Sequence, residues 1–306
     1  LSLITAIAAI DDPGGHVDTR QAEYAIAVAD ELSFTRAAQR VFAGQSTVSA
    51  GVRALEKELG VALFERDQRG VRITAAGEAV LPVLRELVDA EARAKAAADP
   101  RGELRGLLRM GMFTSISSMA VPRIIGAFHR ANPLVELRLR GNSGGSGELV
   151  ESVRRGRVDL SLFGLPATAA PGLAVHRLAT TPYRVVLAED HALAQRAEIG
   201  LAEIAGEHFV DTPVGFGNRD VLDSALGARS IVRDVRAEVT ETSAIPVFVA
   251  TGLGIALLPE LLITPVDGIV SVALAEHIDW DLSIISPRSP SAPAAALIEE
   301  FLAAYR

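Results

Sequence analysis

The hydrophobic pattern of this chain, helical through most of its first hundred residues, is broken at Asp99-Pro-Arg-Gly102. Before that break apolar residues recur every three or four positions, the spacing of one face of an α-helix. After it they fall into short alternating or continuous runs separated by helical stretches, the order of an α/β sheet. The architecture expected is an all-helical head joined to a larger α/β body, and 306 residues suffice for two or three domains with cores of their own.

Composition narrows the chemistry. There is no cysteine, which excludes disulfides, thiolate metal sites, cysteine nucleophiles and thiol-based redox sensing. Histidines at 16, 129, 176, 191, 208 and 277 show no ligand spacing, so no metal is expected. A net charge of −8 argues against non-specific coating of nucleic acid. It leaves room for a local basic patch, and residues 33–72 hold seven basic side chains against four acidic ones. Apolar Leu1 to Ile10 lacks a basic start and a clear cleavage site, so 1–16 is expected to be an unstructured leader. Ala244 to Ile263 is apolar but punctuated by Pro246, Gly252, Gly254 and Pro259, and reads as helix, turn and buried strand. A soluble, cytoplasmic chain without membrane contact is expected.

Beyond Asp18, Tyr24, Ala25, Val28, Ala29 and Leu32 form the stripe of a first helix. Ser33 fits the N-cap of a second, 34–42, expected to bury Phe34, Ala37, Ala38, Val41 and Phe42. Ala43-Gly44 makes a tight turn into a third, 46–59, with the stripe Val48, Val52, Leu55 and Leu59. Two short helices joined in this way form a helix-turn-helix, whose second helix lies in the DNA major groove. Gln45, Ser46, Thr47 and Ser49 offer short hydrogen-bonding groups to bases or phosphates, and equally suit the caps of a surface helix. Residues 66–73 read as a hairpin with the tip Gln68-Arg69-Gly70, a basic wing drawn to the DNA backbone or minor groove. Thr74 fits the N-cap of a long helix, 75–98, which Pro82 should kink. Val80, Leu84, Leu87 and Ala94 give an approximate heptad seam, suited to pairing with a second copy or to packing on its own domain.

The runs Ala25-Ile-Ala-Val-Ala-Asp-Glu-Leu-Ser-Phe-Thr-Arg-Ala-Ala-Gln-Arg-Val-Phe42, Arg53-Ala-Leu-Glu-Lys-Glu-Leu-Gly-Val-Ala-Leu-Phe-Glu-Arg66 and Ile73-Thr-Ala-Ala-Gly77 resemble the N-terminus of the LysR-type transcriptional regulators. Candidate DNA contacts are then Ser33, Thr35, Arg36, Gln45, Ser46, Thr47, Ser49 and Arg53 on the helices, with Arg66, Arg69 and Arg72 in the wing. The chain departs from the family at Ser46, often Pro, and at Ala50 and Gly51, commonly Arg or Gln. Those two changes remove expected DNA contacts, and Gly51 weakens the recognition helix by about 1 kcal/mol relative to Ala.

After a hinge at 99–103, strands are expected at 104–112, 135–140 and 158–163, separated by helices ending near 131 and 156. This order implies a parallel sheet that binds ligands at the carboxyl ends of its strands. A second set follows, with strands at 183–188, 208–211 and 235–239, a turn, buried strand and stop within 252–259, helices at 218–226 and 243–251, and a final helix at 294–305. Val121-Pro-Arg-Ile-Ile-Gly-Ala-Phe-His-Arg-Ala-Asn-Pro133 and Ala250-Thr-Gly-Leu-Gly-Ile-Ala-Leu-Leu-Pro259 also resemble the family, though more loosely.

The resemblance implies a multidomain chain: a winged helix-turn-helix at 17–74, a linker helix at 75–98, and an effector domain at 104–306 whose two α/β lobes are similar to periplasmic solute-binding proteins. Lobe I would span about 104–164 and 268–306, lobe II about 165–267. It places the cleft at Thr114, Ser115, Asn142 or Ser143, Phe163, Gly164, Thr212 and Thr242. Thr114 and Ser115 also suit helix caps. Arg219 suits a ligand carboxylate or, as exposed arginines commonly do, plain solvent. The partners implied are double-stranded DNA, a small polar or anionic effector, a second copy or a tetramer, and RNA polymerase where the protein activates. No cofactor is implied.

Two rivals compete. Gly141-Asn-Ser-Gly-Gly145 fits the G-x-S-x-G of an esterase, with Asp267 and His277 as acid and base, a pattern that Gly- and Ser-rich stretches meet by chance. A solute-binding module explains the last two hundred residues but not the first eighty. Gly252-x-Gly254 lacks a third glycine and precedes a strand, so it does not make a dinucleotide site.

Overall fold

The computed structural model describes residues 17–67, 70–97, 103–113, 120–142 and 144–306. The chain divides into two compact units, Leu1–Lys95 and Ala96–Arg306.

In the first unit α1 (Thr19–Glu31) begins at Asp18, whose carboxylate accepts from the Arg20 amide, and ends where Leu32 turns left-handed at φ 45°. Ser33 caps α2 (Phe34–Arg40) by accepting the Arg36 amide at 3.3 Å. Helix α3 (Gln45–Leu59) stops at Gly60, whose φ of 70° is the left-handed value that favours glycine. Strands β1 (Phe64–Asp67) and β2 (Gly70–Ile73) pair antiparallel, Phe64 opposite Ile73, and α4 (Ala75–Ala97) follows. The helices close on Ala25, Val28, Ala37, Val48, Val52 and Leu55, all within 1% of full burial. Phe34 meets Phe64 edge-on, with ring centroids 6.1 Å apart.

Two sequence expectations change here, and a third position gains a structural reason. Phe42 is 97% exposed, not buried. Helix α2 ends at Arg40, and Phe42 adopts φ 52°, which carries its side chain off the helical stripe. The seam on α4 is not one seam: Leu84 is buried in the head's own core with Val80 packed against it, whereas Leu87 stays part-exposed and Ala94 exposed. Gly51 also has a packing reason. A Cβ there would lie 2.6 Å from Cδ2 of Tyr24, so the glycine lets the tyrosine ring lie against α3.

The second unit runs β3 (Gly106–Phe113), α5 (Val121–Ala131), β4 (Val135–Asn142), α6 (Ser146–Arg154), β5 (Leu160–Phe163), β6 (Ala174–Ala188), β7 (Glu198–Ile199), β8 (His208–Asp211), α7 (Gly217–Gly227), β9 (Asp234–Glu238), α8 (Ile245–Ala250), β10 (Ala256–Pro259), β11 (Ile269–Leu274), β12 (Asp279–Ser286) and α9 (Ala292–Ala304). The sheet order is β4-β3-β5-β12-β6-β11-β7, with β10 also on β6. It is mixed rather than parallel. Strands β3, β4 and β5 are parallel, but β12 runs antiparallel to β5 and β6, and β6 antiparallel to β10 and β11. The cause is β6, whose first half pairs with β12 beside lobe I while its second half founds the sheet of lobe II. Among the described residues no helix is long and apolar enough to cross a membrane.

Candidate nucleic-acid interface and ligand cleft

Helix α3 buries Val48, Val52 and Leu55 and turns its other side to solvent. Gln45, Ser46, Thr47, Ala50 and Arg53 are exposed and Ser49 is half-buried, so one polar face runs from the first turn of α3 through its third. Thr35 and Arg36 are exposed at the start of α2, beside Ser33. Arg36 is held by Glu31, through its backbone carbonyl and a carboxylate 3.5 Å away. Arg53 donates from Nε to the Ser49 carbonyl at 3.1 Å. On the wing Arg72 pairs with Glu65 across the hairpin at 3.3 Å, an exposed pair that competition from phosphate can open. Arg69 and the side chain of Arg66 lie outside the described residues.

Glu56, which sequence reading passed over, and Thr74, which it read as a cap, set the wing against α3. Glu56 accepts the amides of Leu63 and Phe64 on one oxygen, at 2.8 and 3.1 Å. Thr74 caps α4 by accepting the Gly77 amide at 2.9 Å and donates to the Ala62 carbonyl at 2.7 Å. A side chain on Gly77 would collide with the Leu63 carbonyl, which is why a glycine stands there. The spacing from Glu56 to the wing carries no periodic signal, whereas the Thr74 cap was legible.

In the second unit a narrow cleft, partly open to solvent, lies between the lobes. Phe113, Leu149, Leu262 and Trp280 form its apolar walls, while Ser146, Asn218 and Thr242 supply polar groups. The lobes touch along glycines: the Ser146 amide donates to the Gly215 carbonyl at 3.1 Å, and a Cβ on Gly217 would lie 2.7 Å from both the Gly164 carbonyl and Ser146 Oγ. Asn218 is fixed from behind. Its Nδ2 donates to Thr212 Oγ1 at 3.1 Å, and its carbonyl accepts from the Tyr183 hydroxyl at 2.5 Å.

Of the residues expected at the cleft, Gly164 and Thr242 line it. Phe163 does not: it packs into a core with Val150, Val153 and Ile285, because successive positions of a strand face opposite sides. Thr212 is fully buried behind Asn218 rather than facing the cleft. Arg219 is no free cation. It donates to Asp223 at 2.6 Å and to the Thr212 carbonyl at 2.9 Å, with Glu238 and Asp211 within 3.5 and 3.8 Å. Asp211 also bonds Arg233 at 2.5 Å, and its burial pushes its carboxyl above the ordinary value against the pull of both arginines. This network anchors α7. Asn142 ends β4, and its side chain, Ser143, Thr114 and Ser115 lie outside the described residues. Sequence reading missed Trp280, Phe113 and Ser146, although a lone tryptophan in an aromatic-poor chain was a visible signal. His277, the base an esterase would need, sits on the surface paired with Asp279 at 2.9 Å.

Known proteins match both units. Residues 19–78 match the family described as "Bacterial regulatory helix-turn-helix protein, lysR family", and residues 101–306 match "LysR substrate binding domain". The HTH-type transcriptional regulator ShiR of Corynebacterium glutamicum is 34% identical over 79% of this chain and 82% of its own length. The DNA-binding transcriptional dual regulator OxyR of Escherichia coli is 30% identical over 83% of this chain and 84% of its own. Among solved structures, full-length OxyR from Pseudomonas aeruginosa superposes with a TM-score of 0.78 at 24% identity, covering 94% of this chain and 95% of that one. Full-length BenM superposes at 0.58 with 22% identity, covering 94% of this chain and 97% of that one. The two family matches together cover nearly all of the chain from residue 19 onward, and this chain belongs to the LysR family of DNA-binding transcription regulators.

Proposed function

We propose that the head reads DNA through the outward face of α3, with Gln45, Ser46, Thr47, Ser49 and Arg53 in the major groove and Arg66, Arg69 and Arg72 of the wing on the backbone. Ser33, Thr35 and Arg36 at the start of α2 face phosphates. The observation that carries this reading is the exposed polar face of α3, whose opposite side is buried on Val48, Val52 and Leu55. A small polar or anionic effector enters the cleft between the lobes and favours one closure over another, which shifts the spacing of paired heads on an interrupted inverted repeat. The active form is a dimer through α4, or a dimer of dimers. It works in the cytoplasm, with RNA polymerase as a further partner where it activates. The chain performs no catalysis and needs no cofactor. With no cysteine in its sequence, it reads its signal without thiol oxidation.

A gel-shift with DNA from upstream of the gene, run across a salt series, tests the reading. Binding should weaken steeply with salt and should fall with Arg69→Ala or Arg53→Ala. Absence of any shift at low salt would overturn it.

A further inference from the structure

We infer that Lys57, at the far end of α3, grips a DNA phosphate outside the groove, so that the contact surface of this helix continues one turn past Arg53. The inference rests on reading α3 as the recognition helix and adds a residue to it.

Lys57 shares its side of the helix with the residues that face the groove. At 3.6 residues per turn, Ser46, Ala50, Arg53 and Lys57 fall within about 60° of one another around the axis. All four are exposed, while Val48, Val52 and Leu55 are buried on the opposite side. Distance along the axis decides what each can reach. A rise of about 1.5 Å per residue puts Arg53 about 10 Å and Lys57 about 16 Å beyond Ser46. The major groove is about 12 Å wide, so a helix that enters it by its first turn has left it by Lys57, where the flanking phosphates lie.

Nothing on the protein neutralises this end of the face. The positions one helical turn from Lys57 are Arg53, Ala54, Gly60 and Val61, none of them acidic. Glu56 is adjacent in sequence but lies round the helix, with its carboxylate committed to the amides of Leu63 and Phe64. Among the described residues of this unit Arg53, Lys57 and Arg93 meet no carboxylate, whereas Arg20, Arg36, Arg40, Arg72, Arg85 and Lys95 each do. Two cations one turn apart destabilise a bare helix by about 0.2–0.5 kcal/mol. A phosphate strand beside them reverses the sign of that effect. A cation in the last turn also complements the helix dipole, by about 0.3–1 kcal/mol. The dipole acts on folding and a phosphate contact on salt dependence, so the two are measured apart.

The test is binding of the full chain to a duplex from upstream of the gene, and to a scrambled duplex of equal length, across a salt series. Lys57→Gln should flatten the plot of log affinity against log salt by about 0.9 for each head bound. It should weaken both duplexes by the same factor, because a phosphate contact carries no sequence information. Lys57→Arg should retain the wild-type slope. Lys95→Gln, which removes an equal charge from α4, should leave the slope unchanged. A wild-type slope in Lys57→Gln, a loss confined to one duplex, or equal flattening by Lys95→Gln would each overturn the assignment. Arg53→Ala separates the two readings. If it weakens binding while Lys57→Gln keeps the wild-type slope, α3 stands as the recognition helix and Lys57 falls. If neither changes binding, the reading of α3 falls too.

Discussion

Arg85 of the long helix α4 donates from Nη2 to Oδ1 of Asp30 at the end of α1 over 2.7 Å, and the two side chains are 5% and 6% exposed. Arg40 of α2 donates to the other carboxylate oxygen at 2.8 Å. One carboxylate thus ties three helices together where water is nearly absent. Removing one member of such a buried cluster strands its partners' charge, so Asp30→Asn should cost about 3 kcal/mol in denaturant unfolding of the head.

The same cluster sets a pH dependence. Burial raises the Asp30 carboxyl, but Arg85 and Arg40 outweigh it and hold the group below its ordinary value. A depressed folded value stabilises fully above the unfolded value of about 3.9 and loses that contribution as pH falls through the folded one. Acid unfolding of the wild type should therefore steepen below about pH 4, and Asp30→Asn should lack that part of the profile. Equal acid slopes in both proteins would remove Asp30 from the account.

Glu56 supports the wing from inside α3. Glu56→Ala leaves the amides of Leu63 and Phe64 without their acceptor, so exchange of these two amides should accelerate while those in the middle of α3 stay protected. DNA affinity should drop about tenfold through loss of wing placement. A fall in affinity with unchanged exchange at 63 and 64 would mean that Glu56 touches DNA itself.

These two cases show where sequence was sufficient. Helices with a stripe and a cap declare themselves locally: Ser33 and Thr74 accept amides three residues on, as their positions required. The alternation of strands and helices in the second unit was equally legible, though the mixed direction of its sheet was not. Relationships across the fold were not. Asp30 and Arg85 are 55 residues apart, and nothing near either names its partner. Phe42 looked like the next turn of an apolar stripe, but the backbone leaves the helix two residues earlier. At the cleft, Gly164 was implied by the family resemblance, whereas Trp280 reaches the site through antiparallel pairing with β6 that the βαβ pattern did not contain. Arg219 was read as available because its acidic neighbours arrive from β8 and β9 as well as from its own helix.

The glycine contacts between the lobes make a further prediction. Ala at 217 would place a methyl 2.7 Å from the Gly164 carbonyl and Ser146 Oγ, which the closed cleft cannot absorb without moving one lobe. Gly217→Ala should thus free the Ser146 amide from the Gly215 carbonyl and speed its exchange, at a stability cost of about 1–3 kcal/mol. DNA binding by the head in low salt should be unchanged. Slow Ser146 exchange in the variant would show that the lobes accommodate the methyl by a different route.

The division of the α4 seam yields the last prediction. Leu84 is 3% exposed in the head's own core, so Leu84→Ala should behave as a core truncation, costing about 2–5 kcal/mol whatever the assembly does. Val83 and Leu87 are 62% and 38% exposed, four positions apart on one face, with Ala90 and Ala94 exposed further along it. Spacings of four, three and four are those of a face that packs on another helix. Val83→Asp combined with Leu87→Asp should leave the thermal unfolding of the head within about 1 kcal/mol of wild type. In sedimentation velocity the same variant should shift the protein toward monomer at micromolar concentration. The expected pattern is a crossed one: one substitution that unfolds without dissociating at native temperature, and one pair that dissociates without unfolding. An aspartate pair that leaves the sedimentation coefficient unchanged would place the dimer contact on another surface.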